Sequence, residues 1–194
     1  MRKFVESHYK NFTDVIDSVD ATDKRGWGLD IYAAIETVCD AVRKKSDRGG
    51  KIFLIGNGGS ASIASHLAAD FLKNAKIPAL ALNDPSLITC ISNDLGYEYV
   101  FEKPLDMLST AGDVLFAISS SGRSKNILHA VAKAGEKKCL IVSLSGFDRD
   151  NPLRKSGDFN FYLSSNSYGC VEIAHLVICH CIVDKIIENK KQNG

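Results

Sequence analysis

No stretch of this sequence approaches the roughly 18 consecutive apolar residues of a membrane-spanning helix, so a helical membrane protein is not expected. The opening residues, MRKFVESHYKNF, lack an apolar core of signal-peptide length, which argues against export. Charge of one sign is missing as well. Lys and Arg number 24 against 23 Asp and Glu, a formal +1, and the cations are scattered. That pattern offers no basic footprint for nucleic acid or for an anionic membrane. A P-loop is absent, because no Gly-Lys-Ser/Thr follows the glycines at 56–59. Cysteine is not scarce, with residues at 39, 90, 139, 170, 179 and 181. A chain of this length needs no disulfides, so these cysteines are expected to be reduced and mostly buried. Cys179-His180-Cys181 cannot hold one ion together, since neighbours on a helix diverge by about 100°. A cytoplasmic location is expected.

What is present is enough for a full core. The 194 residues are 45% hydrophobic and 24% charged, the balance of one globular domain. Residues 1–19 read as a helix, and "ATDKRGWG" (21–28) as a polar break. From Asp30 a second helix is expected, with Ile31, Ile35, Val38 and Val42 repeating on one face until the glycines of "DRGG". From Lys51 short apolar runs alternate with helical patterns. Strands are expected at "KIFLI", "PALAL" (78–82), "DVLFAI" (113–118), "CLIVSL" (139–144) and "FNFYL" (159–163). Helices are expected over 60–74, in one or two pieces over 86–109, over 124–137 and over 168–189. The fold class is therefore α/β: a three-layer α/β/α sandwich on a doubly wound parallel five-stranded sheet. Residues 1–48 form an N-terminal helical arm and 49–194 the core, with no linker between.

Two turns carry the chemistry. "LIGNGGSASIASH" (54–66) is a strand, a glycine turn and a helix, the usual way to hold phosphate. Gly56-x-Gly58-x-x-Ala61 fits a dinucleotide fingerprint, with Asp84 as the ribose-binding acid. However, Asp84 comes later than the roughly 20 residues usual for that role. The second turn is "SSSGRS", Ser119–Ser124, which repeats the same plan after the third strand. Hydroxyls and free N–H groups at a helix start make a compact anion cradle. A capping serine is the plainer alternative for Ser124, but a cap needs one serine and four are here. Two cradles suit a phosphorylated sugar better than a dinucleotide.

These residues resemble the SIS (sugar isomerase) domain family and, within it, the phosphoheptose isomerases. The resemblance is carried by "GNGGSAS", "SNDLGY" (92–97), "ISSSGRS" and the last-helix pattern Glu172, His175, His180. It implies an aldose–ketose isomerase acting on sedoheptulose 7-phosphate, a homotetramer with sites at subunit interfaces, and no nucleotide cofactor. It further implies that Asn57, Gly58, Gly59, Ser60, Asn93 and Asp94 contact the sugar or its phosphate. Ser119, Ser120, Ser121 and Ser124 would hold the phosphate, and Glu172 would join them. His66, Asp70, Glu172 and His180 stand where relatives bind one zinc ion per subunit. A non-catalytic SIS module that binds a sugar phosphate or a partner protein is the alternative.

Aldose–ketose exchange needs a base and an acid around an enediol. Asp70 is the candidate base and His180 the candidate acid. His66 and Asp70 are i, i+4 partners on one helical face, and two imidazoles with carboxylates suit zinc. Core burial of His66 and a wet-side position for Asp70 are the bland alternatives. His129 and His175 are read as structural, and Arg123 as solvated or as a screen for the phosphate. Three departures from the family pattern stand out. Asp70 replaces a glutamate, Glu172 replaces a glutamine, and Lys73 and Asn74 stand where relatives carry an arginine.

Overall fold

Ile52–Gly56 is buried at every position. Its side chains divide in alternation: Ile52 and Leu54 enter one apolar cluster, Phe53 and Ile55 another. A strand buried on both sides belongs inside a sheet that is covered on both sides. The computed structural model, which describes residues 1–192, has that arrangement.

The first half of the chain forms α1 (Arg2–Asp17), β1 (Asp20–Asp23), β2 (Gly28–Leu29), α2 (Ile31–Ser46), β3 (Ile52–Gly56) and α3 (Gly59–Lys73). Next come β4 (Ala79–Ala81), α4 (Pro85–Asp94), a 3-10 turn at Tyr97–Tyr99 and α5 (Glu102–Leu108). The remainder is β5 (Val114–Ser119), α6 (Lys125–Glu136), β6 (Leu140–Gly146), a 3-10 turn at Leu153–Lys155, β7 (Phe159–Leu163) and α7 (Tyr168–Gln192). The sheet order is β2-β1-β7-β6-β5-β3-β4. Strands β4, β3, β5, β6 and β7 run parallel. The chain leaves β3 towards β4 and returns on the other side as β5, so the winding reverses between β3 and β5. Ligands of open α/β sheets bind at that point, outside the carboxyl ends of the strands.

Helices cover both faces, as expected. Val38 and Val42 of α2, Leu67 and Phe71 of α3, and Val171, Ala174 and Ile182 of α7 pack on one face with Ile52, Phe116 and Val142. Leu105 of α5 and Ile127, Ala130 and Ala134 of α6 pack on the other with Phe53, Leu115 and Ile141. Asp113 ties the lower ends of β3 and β5 together. Buried, it accepts from Lys51 N and Nζ (both 2.9 Å) and from Thr110 N (2.7 Å). These bonds hold its carboxyl below the usual range although burial, the largest single influence, pushes it up.

The sheet has seven strands, not five. The stretch expected to be a polar break is a hairpin, β1–β2, that adds antiparallel to β7 with Ala21 opposite Phe161. Its turn is closed by Asp23 Oδ1, which accepts from Arg25 N (2.8 Å) and Trp27 N (3.0 Å). Of β1 only Ala21 and Thr22 are buried, too few residues to carry a period-2 signal. The segment 1–48 therefore contributes both strands and helices to the core: Ala21, Ala34 and Val38 join the same cluster as α3 and α7.

Candidate active site

The glycine turn after β3 is shaped by backbone demands. Gly58 has φ 54°, where a side chain is strained. A Cβ at Gly59 would lie 2.3 Å from Glu172 Oε2, so the carboxylate of α7 rests directly on the first turn of α3. Beside it, the serine loop after β5 completes a cavity of about 250 Å³. Asn57, Gly58, Gly59, Ser60, Ser119, Ser120, Ser121, Ser124 and Glu172 all line it, and Tyr168 joins them. The two turns singled out in the sequence thus meet at the switch point.

Within this cavity the hydroxyls are unevenly committed. Ser119 Oγ accepts from Gly122 N (3.2 Å) and Ser121 Oγ from Arg123 N (3.3 Å). Ser124 stands at the N-cap of α6, yet its side chain makes no capping bond. Ser120 Oγ is buried with no partner in the protein. Buried polar groups are nearly always satisfied, so an orphan in a cavity marks a ligand position. No acidic residue occupies the first turn of α6, whose N-terminus therefore faces the cavity with its partial positive charge intact. Arg123 turns away to pair with Asp148.

The side chains behind the two turns hold them together. Asn57 Nδ2 donates to Asn126 Oδ1 (3.0 Å), Asn126 Nδ2 donates back to Asn57 Oδ1 (2.9 Å), and Tyr97 Oη donates to the same oxygen (2.9 Å). This reciprocal amide pair spans the switch point. Asn126, Tyr97 and Tyr168 were not assigned roles from the sequence; Tyr97 closes the quoted "SNDLGY" stretch and Asn126 lies two residues after Ser124, while Tyr168 carried no hint. Asp84, the ribose-binding acid of the dinucleotide alternative, is spent as a helix cap, accepting from Leu87 N at 2.9 Å. His175 is fully buried and donates from Nε2 to Ser145 O (3.2 Å). Burial pushes its imidazole down to about 4, against the opposing pull of that bond, which fits its structural reading.

A second cluster lies further along the parallel pair α3 and α7. His66 Nε2 is 3.2 Å from His180 Nε2 and 3.3 Å from Asp70 Oδ2, and His180 Nδ1 is 3.8 Å from the same oxygen. One ligating atom from each of the three lies within 4.8 Å of the others. Around zinc, bonds of about 2.0–2.1 Å in a tetrahedron place neighbouring ligand atoms about 3.3 Å apart. The donors present fit such an ion in chemistry, and His66 Nε2 stands at that spacing from both His180 Nε2 and Asp70 Oδ2. Asn74 Nδ2 donates to Asp70 Oδ1 (3.0 Å), fixing the carboxylate from the next turn of α3. Glu172 is not in this cluster; it belongs to the cradle, about 12 Å back along α7. Asn93 and Asp94 are exposed at the end of α4, hydrogen-bonded to each other (2.8 Å), and do not line the cradle.

Comparison with known proteins places the chain in a family. Residues 9–146 match the SIS domain family model. A phosphoheptose isomerase of Helicobacter hepaticus is 36% identical over 167 residues, 83% of this chain and 85% of that protein. One from Campylobacter concisus is 30% identical over 190 residues, 95% of this chain and 93% of its own. The chain belongs to the phosphoheptose isomerase family of SIS domains. Solved phosphoheptose isomerases from Neisseria gonorrhoeae (28% identity, TM-score 0.81, 95% of this chain and 98% of that one) and Francisella tularensis (27%, 0.83, 96% and 97%) share its fold. In this family member, the glycine turn, the serine loop and the last helix with His180 are all present.

Proposed function

We propose that the protein is an aldose–ketose isomerase that converts sedoheptulose 7-phosphate to D-glycero-D-manno-heptose 7-phosphate. The observation that carries this reading is the pair of uncommitted hydroxyls, Ser120 and Ser124, at an acid-free helix N-terminus on the switch point. A phosphate monoester there would receive charge-assisted hydrogen bonds from these hydroxyls and the free N–H groups of α6. Distance supports a long sugar. From Gly59 to His66 along α3, and from Glu172 to His180 along α7, is about 10–12 Å. The six carbon–carbon bonds of a seven-carbon chain, about 1.5 Å each, together with the two bonds of its phosphoester reach a comparable length.

With the phosphate in the cradle, C1 and C2 lie near Asp70 and His180. Asp70 takes a proton from C1 while His180 protonates the C2 oxygen, giving an enediol. Loss of the O1 proton and protonation of C2 then yield the aldehyde and a C2 hydroxyl. Zinc held by His66, Asp70 and His180 would polarise the sugar oxygens. Glu172, the one carboxylate lining the cradle, is assigned to the sugar hydroxyls. Asn93 and Asp94 are assigned to the sugar from the rim.

Subunit association fits the same reading. Phe4 and Tyr9 of α1 and Ile173 and Val177 of α7 are exposed apolar side chains, and a homotetramer would cover them and close the cluster's open side. Among the described residues no helix is long and apolar enough to cross a membrane. All six cysteines are free, as in a reducing cytoplasm. The test is turnover of sedoheptulose 7-phosphate by the purified protein, with and without added zinc. Collapse in both Asp70→Ala and His180→Ala is expected. Full turnover in both, or binding without turnover in the wild type, would replace the enzyme with a sugar-phosphate-binding module.

A further inference from the structure

The hairpin that the sequence hid builds a cavity of its own. Between the β1–β2 turn and residues 149–155 lies a space of about 410 Å³, within the size range of small-molecule sites. In the sheet order it is separated from the switch point by β7 and β6. Lys24, Arg25, Arg149, Arg154 and Lys155 line it, against only Asp23 and Asp150. A chain whose formal charge is +1 gathers five of its 24 cations here.

Each of the five cations has an acidic partner, but the acids number four and most are shared with other donors: Arg25 pairs with Asp23 (3.1 Å) and Lys24 with Asp158 (3.2 Å). Asp23 accepts from the backbone of Arg25 and Trp27, and Asp158, the partner of Lys24, accepts from Ile141 N (2.9 Å). Asp20 is shared by two guanidiniums, Arg149 at 3.3 Å and Arg154 at 2.6 Å. Asp150 and Lys155 form an exposed pair, which is worth little and is readily exchanged. Arg154 is the fixed member: its side chain is only 12% exposed and lies over the Tyr162 ring (4.4 Å). It also donates to Arg149 O (3.1 Å). A largely buried guanidinium with donors to spare, ringed by cations in solvent-exposed ion pairs that a phosphate can exchange, suits a multiply charged phosphate. The lining Arg25 extends its guanidinium 4.3 Å over Trp27, which is outside the lining and 66% exposed. Such an arginine–indole platform takes a planar base by stacking.

We propose that this cavity is a second ligand site, binding a nucleoside diphosphate as an effector and not as a reactant. The phosphates lie on Arg149, Arg154 and Lys155, and the base lies on the Arg25–Trp27 platform.

Trp27 is the single tryptophan of the chain, so intrinsic fluorescence reads this site directly. The full-length protein is titrated with ADP, with UDP and with inorganic pyrophosphate. A saturable change with at least one nucleotide is expected, weakening as salt is raised. By calorimetry, the R149Q/K155Q double variant should bind at least about tenfold more weakly with its melting temperature and sugar-phosphate turnover unchanged. Trp27→Ala should weaken nucleotide but not pyrophosphate. The proposal is overturned if no saturable change occurs at millimolar nucleotide, or if R149Q/K155Q binds as the wild type does. Pyrophosphate binding as tightly as the nucleotides would also overturn it.

Discussion

Ser120→Ala should make the protein more stable and less active at the same time. In the unliganded protein Ser120 Oγ is buried and unpaired, in a residue only 5% exposed. An unsatisfied buried hydroxyl costs about 1–3 kcal/mol, so its removal should stabilise the fold by about 1 kcal/mol. For a domain of this size that raises the melting temperature by about 2–4 °C. Under the proposed function the same hydroxyl donates to the phosphate. Losing one hydrogen bond to a charged group costs about 1.5–3 kcal/mol, or roughly 10–100-fold in affinity. KM for sedoheptulose 7-phosphate should rise by that factor with kcat nearly intact. The thermal stabilisation that the sugar phosphate confers on the wild type should shrink accordingly. Ser143 supplies the control, being equally buried but bonded to Asn160 Oδ1 at 2.6 Å. Ser143→Ala should lower stability by about 1 kcal/mol. A Ser120→Ala protein that melts lower than the wild type, with KM unchanged, would show Ser120 to be an ordinary core serine and remove the phosphate argument.

Three further outcomes follow from the geometry. Asp70→Asn keeps the shape and the Asn74 contact but removes the charge facing His66. It should cut kcat by about 10²–10⁴-fold and weaken zinc binding measured by competition with a chelating dye; a loss below threefold would reject Asp70 as base. His175 carries a folded-state pKa depressed from 6.5 to about 4 by burial. The unfolded chain therefore binds the proton first as pH falls. Stability is intact above pH 6.5 and declines towards pH 4, by about 3 kcal/mol at most for this residue. Urea unfolding at pH 7 and pH 5 measures the slope, and His175→Gln should flatten it. Asp113→Ala removes the buried acceptor shared by Lys51 N, Lys51 Nζ and Thr110 N and should cost about 1–3 kcal/mol, read as a shift in the urea midpoint.

Much of the site was legible because it is local in sequence. "GNGG" and "SSSGRS" each follow an apolar strand, and a parallel sheet brings such turns to one edge whatever the details of packing. His66 and Asp70 were legible as a pair because i and i+4 share a helical face. Glu172 was harder to place. Its register on α7 puts it in the cradle instead of beside His180, because eight residues along a helix carry a side chain two turns away. Tyr97, Asn126 and Tyr168 come from three separate segments, and no spacing rule connects them. The β1–β2 hairpin escaped because edge strands held by backbone bonds to β7 need few buried side chains.

The order of apolar runs and small-residue turns was enough to dictate a doubly wound sheet, the position of its serine-lined cavity and the helical pair bearing the imidazoles. Those features follow from short-range periodicity and from the stereochemistry of strand–turn–helix units. Which hydroxyl stays unpaired, which acid rests on α3, how closely His66 approaches His180, and the existence of a cation-lined cavity at the sheet's edge were settled only by tertiary packing. Each depends on distances between segments far apart in the chain, and those distances are set by how the whole core closes.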